Sequence, residues 1–117
     1  MTHISLTIQD KTYDATLYDN PTIQQLSTLL PLTITMNELH GNEKYHTLDT
    51  TLPTNAEAVR TIKTGDLMLY GNDTLVLFYQ DFSTPYTYTK LGKLNDTTDF
   101  ENLLGHGNVT ITISKAE

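Results

Sequence analysis

Apolar residues alternate with threonine and other polar residues through most of this chain. That period of two is typical of a half-buried β-strand. Ile4, Leu6 and Ile8 show it near the start, and residues 109–113 show it near the end. Threonine is β-branched yet polar, so it suits the outward positions of such strands. The lack of cysteine excludes disulfide bonds. The 117 residues have the length of one domain, which is enough to bury a core without them. We therefore expect a single domain over residues 1–117.

Two β-hairpins are predicted. Alternating residues flank Asp10-Lys11, which forms a two-residue connection. Residues 66–70 and 74–79 flank Gly71-Asn72-Asp73, where Gly and Asn supply the positive φ angles of tight turns. The strands of this second hairpin are apolar on both faces. We therefore expect them to be covered from both sides.

Three further strands are predicted over residues 32–37, 88–94 and 109–114. Gly92 marks a bulge or a close approach of backbone in the second of them. Residues 38–63 carry few apolar anchors and no clear period. A stretch of this length is either functional or holds a strand that the pattern does not reveal.

Two short helices interrupt the strands. Asn20-Pro21 supplies an N-cap and a first-turn proline, which predicts a helix near residues 21–30. Thr98-Asp99-Phe100-Glu101 is a capping-box pattern, which predicts a helix over residues 98–104. The chain is therefore mainly β, with about eight strands and two short helices. A closed antiparallel β-barrel is the natural architecture, because closure leaves no exposed strand edges.

The acidic charge excludes some classes of partner. The formal net charge is -7 and the pI is near 4.8. Phosphate backbones and anionic membrane surfaces repel such a protein, so we expect neither nucleic-acid nor membrane binding. The first residues have no cationic segment and no continuous apolar run. We therefore expect no signal peptide and a cytoplasmic location.

Several segments resemble cyclophilins. Residues 15–30 are similar to the second strand and first helix of that family. Residues 36–45, 65–71, 75–79 and 86–92 extend the similarity to a small bacterial family of cyclophilin-like barrel domains. The resemblance covers essentially the whole chain. It implies a closed cyclophilin-like barrel of unassigned activity.

The motifs of enzymatic cyclophilins are missing. Those enzymes resemble one another in a Phe-His-Arg stretch, a Phe-Met-x-Gln stretch and a Gly/Asn-rich segment, none of which is present. Arg60 is the only arginine and is the one weak candidate for a catalytic donor, with a solvated loop residue as the alternative. Tyr88 stands where the late histidine of the family would be. Phe78 and Tyr79 lie on the strand that, by the resemblance, corresponds to the wall of the proline pocket in those enzymes.

A cluster of aromatic residues is the candidate ligand site, because tyrosines offer rigid apolar area with a polar tip. Tyr70 is a further residue that could lie close to this cluster in the fold. The alternative is that the aromatic residues fill and cover the barrel. Glu43 is expected in a turn over residues 41–44, or it faces the groove and grips a cationic or amide group. The predicted groove comprises Met36, Glu43, Tyr45, Phe78, Tyr79, Phe82, Tyr86 and Tyr88.

No metal site or cofactor is predicted. His40, Glu43 and His46 are spaced three residues apart, as metal ligands on one helix can be. Gly41-Asn42 argues against the helix that would align them. On a strand, Glu43 would point away from both histidines. His106, between two glycines, is expected in an exposed loop.

Three functions remain open. The first is a binding module for a peptide or small molecule. The second is a degenerate prolyl isomerase that uses Arg60. The third is a domain that assembles with a redox or metabolic protein and has no ligand.

Overall fold

The computed structural model describes residues 2–105 and 107–116, so the loop predicted around His106 lies outside the described residues. The two helices of this part are α1 (Pro21–Ser27) and α2 (Phe100–Leu104). Its strands are β1 (Thr2–Ile8), β2 (Lys11–Leu17), β3 (Leu32–Leu39), β4 (Glu43–Thr47), β5 (Glu57–Ala58), β6 (Thr61–Ile62), β7 (Asp66–Tyr70), β8 (Thr74–Phe78), β9 (Phe82–Ser83), β10 (Thr87–Leu94) and β11 (Val109–Lys115). Neither of these helices is long and apolar enough to cross a membrane.

Eight strands close into an antiparallel barrel. Their order around the ring is β2-β1-β11-β3-β4-β8-β7-β10, and β10 pairs back with β2. This closing pair aligns Gly92 with Leu17 and Leu94 with Ala15. β5 pairs with the first two residues of β10. β6 and β9 form a separate two-stranded sheet. The predicted mainly β, closed antiparallel barrel with two short helices is confirmed.

The hairpin of β7 and β8 is covered on both faces, as its sequence predicts. Leu67, Leu69, Leu75 and Leu77 point into the barrel and belong to its large interior core. The residues between them point outwards and belong to a second, smaller cluster. That cluster joins Ile62, Met68, Val76, Phe78 and Tyr88, with Tyr45, Val59 and Phe82 packed against it.

The segment without a clear period contains β4, which confirms the alternative that residues 38–63 hold an unrevealed strand. β4 reads Glu-Lys-Tyr-His-Thr, so it lacks the aliphatic alternation of the other strands. Its inward residue is Lys44, which is fully buried. The chain turns before this strand, at residues 40–42, so the turn predicted over 41–44 is wrong in its second half.

The helix ends differ from the predictions. The Asn20 side chain caps α1 by accepting from the Ile23 amide at 2.8 Å, as predicted, but the helix ends at Ser27 rather than near residue 30. The capping box predicted for α2 is wrong. The Thr98 hydroxyl donates to Asp96 at 2.7 Å instead, because a short side chain in a turn competes with helix capping. α2 therefore begins at Phe100.

Gly92 lies where two backbones meet. The register of β10 against β7 shifts between Lys90 and Gly92, which is the predicted bulge. A Cβ atom on Gly92 would lie 2.2 Å from the Thr16 carbonyl oxygen and 2.8 Å from the Leu17 Cα atom. Only glycine fits this close approach, at the seam that closes the barrel.

Candidate functional site

Aromatic rings cross the outer face of the barrel. The Phe78 ring lies 5.6 Å from the Tyr88 ring, edge to face, and 5.5 Å from the Phe82 ring. Tyr70 continues the row, with its ring 5.6 Å from Tyr88 and 6.1 Å from Tyr86. Tyr70 and Tyr86 keep 47% and 58% of their surface exposed. The row therefore runs from the buried rings of Phe78 and Tyr88 to the exposed rings of Tyr70 and Tyr86.

A cavity of about 250 Å³ opens beside this row, on the outer face of β3, β4, β7 and β8. Strand alternation builds it, because alternate residues of β4 point to the same face. Glu43 pairs with Phe78 across the sheet, and Tyr45 pairs with Val76. We call this the tyrosine cavity. It is lined by Leu39, Glu43, Tyr45, Thr47, Tyr70, Thr74 and Val76.

Glu43 is the one acidic residue that lines the tyrosine cavity. Burial raises the pKa of its carboxyl, the charge of His40 acts in the opposite direction, and Glu38 adds to the increase. Burial also raises the pKa of Tyr88, and the nearby Glu43 carboxylate raises it further. Within residues 2–105 and 107–116, no donor hydrogen-bonds to the Glu43 carboxylate. The cavity thus holds a half-buried carboxylate beside aromatic rings.

The chain matches the model of a known family. The model of the Cyclophilin-like family matches residues 6–114. The chain belongs to the Cyclophilin-like family. A hypothetical protein from Archaeoglobus fulgidus, known from a solution structure, superposes with a TM-score of 0.67 over 98% of this chain and 95% of that chain. The two are 13% identical, so this likeness shows the fold alone. No curated protein sequence matches the chain significantly.

This cyclophilin-like domain separates the predicted groove residues into two sets. Glu43 and Tyr45 line the tyrosine cavity, and the other outer-face residues form its surroundings, namely Phe78, Phe82, Tyr86 and Tyr88. Met36 and Tyr79 instead belong to the interior core, and Tyr79 is only 3% exposed. Phe78 and Tyr79 are neighbours, and adjacent residues at the end of a strand face opposite sides.

Arg60 is next to the aromatic cluster along the chain, because the side chain of Val59 packs against that cluster. It stands between β5 and β6, with an exposed side chain and a backbone φ of 65°. Its carbonyl oxygen accepts a hydrogen bond from the Thr84 amide at 2.9 Å, which fixes the loop beside Tyr86. Arg60 is not among the residues that line the cavity.

His40, Glu43 and His46 do not form a metal site. In the described part of the chain, no group of three His, Asp or Glu side chains could hold a metal ion. The Nδ1 atom of His46 lies 3.0 Å from the Thr35 carbonyl oxygen. Glu43 and His46 lie three positions apart on β4, so they point to opposite faces, as predicted.

A buried ionic network at the end of the barrel was not predicted. The Lys44 ammonium donates to Glu38 Oε1 at 2.8 Å and to the Gly107 carbonyl oxygen, and it lies 5.3 Å from the centre of the Tyr79 ring. The Tyr79 hydroxyl donates to the same Glu38 oxygen at 2.6 Å, and the Gly41 amide donates to the other oxygen at 2.6 Å. Glu38 belongs to β3, Lys44 belongs to β4 and Tyr79 directly follows β8, so the network holds these three segments together.

The network also shifts the titration of its members. Partial burial acts to raise the pKa of Glu38, but the hydrogen bonds from Lys44, Tyr79 and Gly41 outweigh it and hold the pKa below its ordinary value. Burial and the hydrogen bond to Glu38 raise the pKa of Tyr79. Glu38 therefore stays ionised and Tyr79 stays protonated at neutral pH. No local sequence pattern reveals this network, because Lys44 meets Tyr79 and Gly107, which lie far along the chain, only in the folded barrel.

A larger groove of about 630 Å³ runs between α1 and β10. Its polar groups are largely engaged in holding the fold. Asn20 caps α1, the Thr22 hydroxyl donates to the Pro53 carbonyl oxygen at 2.5 Å, and Lys90 pairs with Glu57 at 3.2 Å. The one carboxylate that lines it, on Glu57, is thus already paired with a lysine. The tyrosine cavity, with its unpaired carboxylate, is the stronger candidate site.

Proposed function

We propose that this cyclophilin-like domain is a binding module that takes a small molecule or a peptide side chain into the tyrosine cavity. The observation that carries the proposal is the combination of aromatic walls and one half-buried carboxylate in a single concavity. Ligand sites are typically apolar and aromatic clefts with a few polar groups that set orientation. The tyrosine cavity has this composition.

The size of the cavity limits its occupant. Pockets for drug-sized ligands enclose about 300–1,000 Å³. The tyrosine cavity, at about 250 Å³, is slightly smaller. We infer that it accepts one compact group, either a whole small molecule or the end of a longer ligand that continues past the exposed Tyr86.

The alternative of a prolyl isomerase has weaker support. Isomerisation is accelerated by a donor that is aimed where charge shifts, beside a fitted proline pocket. Glu43, when ionised, only accepts hydrogen bonds. The candidate donor, Arg60, is exposed and does not line the cavity. The tyrosine cavity therefore offers one carboxylate and neutral hydroxyl groups, and no cationic side chain of the described residues lines it.

The binding proposal is tested with a library of small fragments and two-dimensional NMR of the ¹⁵N-labelled protein. We expect hits to shift the amide signals of β4 and β8 around Tyr45 and Val76. Tyr70→Ala removes one wall of the cavity and should weaken those hits by about 1–3 kcal/mol, the loss typical of a central aromatic anchor. Tyr70 is half exposed, so the fold should tolerate this change.

Tyr18→Ala is the matched control. Tyr18 is 36% exposed and lines the larger groove instead. It should leave the affinities unchanged. Hits that shift only signals around Tyr18, or a library without any hit, would contradict the proposed function.

A further inference from the structure

Glu43 carries a charge that the described part of the fold leaves without a counter-ion. The ammonium of its neighbour Lys44 points to the opposite face of β4 and is bound to Glu38. The charged and titratable groups around Glu43 are Glu38, His40 and Tyr88, and His40 alone favours its ionised form. Burying a carboxylate without a partner is costly. A cation from outside the chain would offset that cost.

The walls of the cavity indicate which kind of cation. The Tyr45 and Tyr70 rings line the same space as the carboxylate, and an ammonium group is attracted to the face of a tyrosine ring. Leu39 and Val76 add aliphatic surface, which suits carbon attached to the charged nitrogen. The occupant is therefore both positively charged and apolar at its surface.

A metal ion fits this cavity poorly. Calcium takes six to eight oxygen ligands, and magnesium needs octahedral oxygen coordination. The cavity supplies one carboxylate and the hydroxyls of Thr47, Thr74, Tyr45 and Tyr70. The Thr47 and Thr74 hydroxyls lie 3.3 Å apart and hydrogen-bond to each other. Aromatic walls with a single carboxylate suit an organic cation.

We propose that the tyrosine cavity binds an alkylated ammonium group, with Glu43 as its counter-charge and the rings of Tyr45 and Tyr70 as its walls. This inference rests on the proposed function and names its ligand class. The net charge of -7 acts in the same direction, because an acidic protein raises the local concentration of cations.

The test compares two probes of nearly the same shape. Choline carries a trimethylammonium group, and 3,3-dimethylbutan-1-ol has a neutral carbon in place of the nitrogen. Each is titrated into the ¹⁵N-labelled protein at low ionic strength, near pH 7. We expect choline to shift the amide signals of β4 and β8, and the neutral isostere to bind at least about tenfold more weakly.

Glu43→Gln removes the charge and keeps the shape of the side chain. We expect it to weaken choline binding at least about tenfold and to leave the affinity of the neutral isostere unchanged. Glu57→Gln is the matched control. It removes a half-exposed carboxylate that lies in the larger groove, and should leave choline binding unchanged.

The outcomes separate this inference from the proposed function. If both probes bind in the cavity with equal affinity, or if choline binds Glu43→Gln as well as it binds the wild type, the cation assignment is overturned and the ligand site stands. If neither probe binds but neutral fragments do, the cation assignment is again overturned. If neither the probes nor any fragment binds, both proposals fail.

Discussion

Gly92→Ala tests the seam that closes the barrel and positions β10 behind the tyrosine cavity. The added methyl group would lie 2.2 Å from the Thr16 carbonyl oxygen and 2.8 Å from the Leu17 Cα atom. Both obstacles are backbone atoms, which cannot rotate away as a side chain can. The strands must therefore separate by at least about 1.2 Å before the contact with the Thr16 oxygen reaches an ordinary van der Waals distance.

The expected cost follows from this geometry. Extra carbon in a well-packed site costs about 1–3 kcal/mol when side chains can shift. Separation of the seam also weakens its hydrogen bonds, each of which contributes about 1 kcal/mol. We expect Gly92→Ala to lower the free energy of unfolding by about 3–5 kcal/mol. For a domain of this size, the melting temperature should fall by about 12–20 °C.

Urea titration and thermal unfolding, followed by circular dichroism, measure this loss. The matched control is Gly71→Ala, at a hairpin turn where φ is 62° and no atom lies within 4 Å of the added Cβ. It should cost only the strain of a left-handed alanine, about 1 kcal/mol. If Gly92→Ala destabilises no more than Gly71→Ala, the close approach at the seam is refuted.

Two further predictions concern stability and catalysis. Glu43→Gln should raise the melting temperature at pH 7. A carboxyl whose pKa is raised by folding is destabilising when ionised, and the gain should vanish well below pH 4.5, where Glu43 is protonated in both states. Thermal unfolding across this range measures the difference, and equal stability at pH 7 would contradict the burial of Glu43. In a coupled peptide assay, the domain should leave the uncatalysed X-Pro exchange, which takes tens to hundreds of seconds, unaccelerated. Robust turnover that is lost in Arg60→Ala would favour the isomerase instead.

Much of the barrel could be predicted from its sequence because its aliphatic residues alternate. The strands that begin and end the described chain bury isoleucine, leucine or valine on one face, and that period is visible locally. The hairpin around Gly71-Asn72-Asp73 is apolar on both faces, and its turn residues reveal it instead. β4 lacks this signal. Its inward position holds Lys44, whose burial depends on Glu38 and on the end of β8, which lies far along the chain. A local pattern cannot contain such a long-range partnership.

The candidate site could be predicted in part. The aromatic residues that crowd between Phe78 and Tyr88 in the sequence come together on the outer face of β7, β8 and β10, and Glu43, one of whose two predicted positions is the groove, lines the cavity beside them. The prediction that Phe78 and Tyr79 share the groove neglects the period of two, which sends adjacent residues of a strand to opposite faces. The cavity itself depends on which strands are neighbours. β4, β8 and β7 are consecutive around the ring, and that order emerges only when the barrel closes.

Nuclear Overhauser effects between choline and the protein test the proposed cation site in the tyrosine cavity most directly. The methyl protons of the bound probe should give cross-peaks to the ring protons of Tyr45 and Tyr70, because these rings line the cavity that Glu43 occupies. The cross-peaks should disappear in Glu43→Gln. Cross-peaks to Tyr18 without any to Tyr45 or Tyr70 would place the ligand in the larger groove and contradict the account.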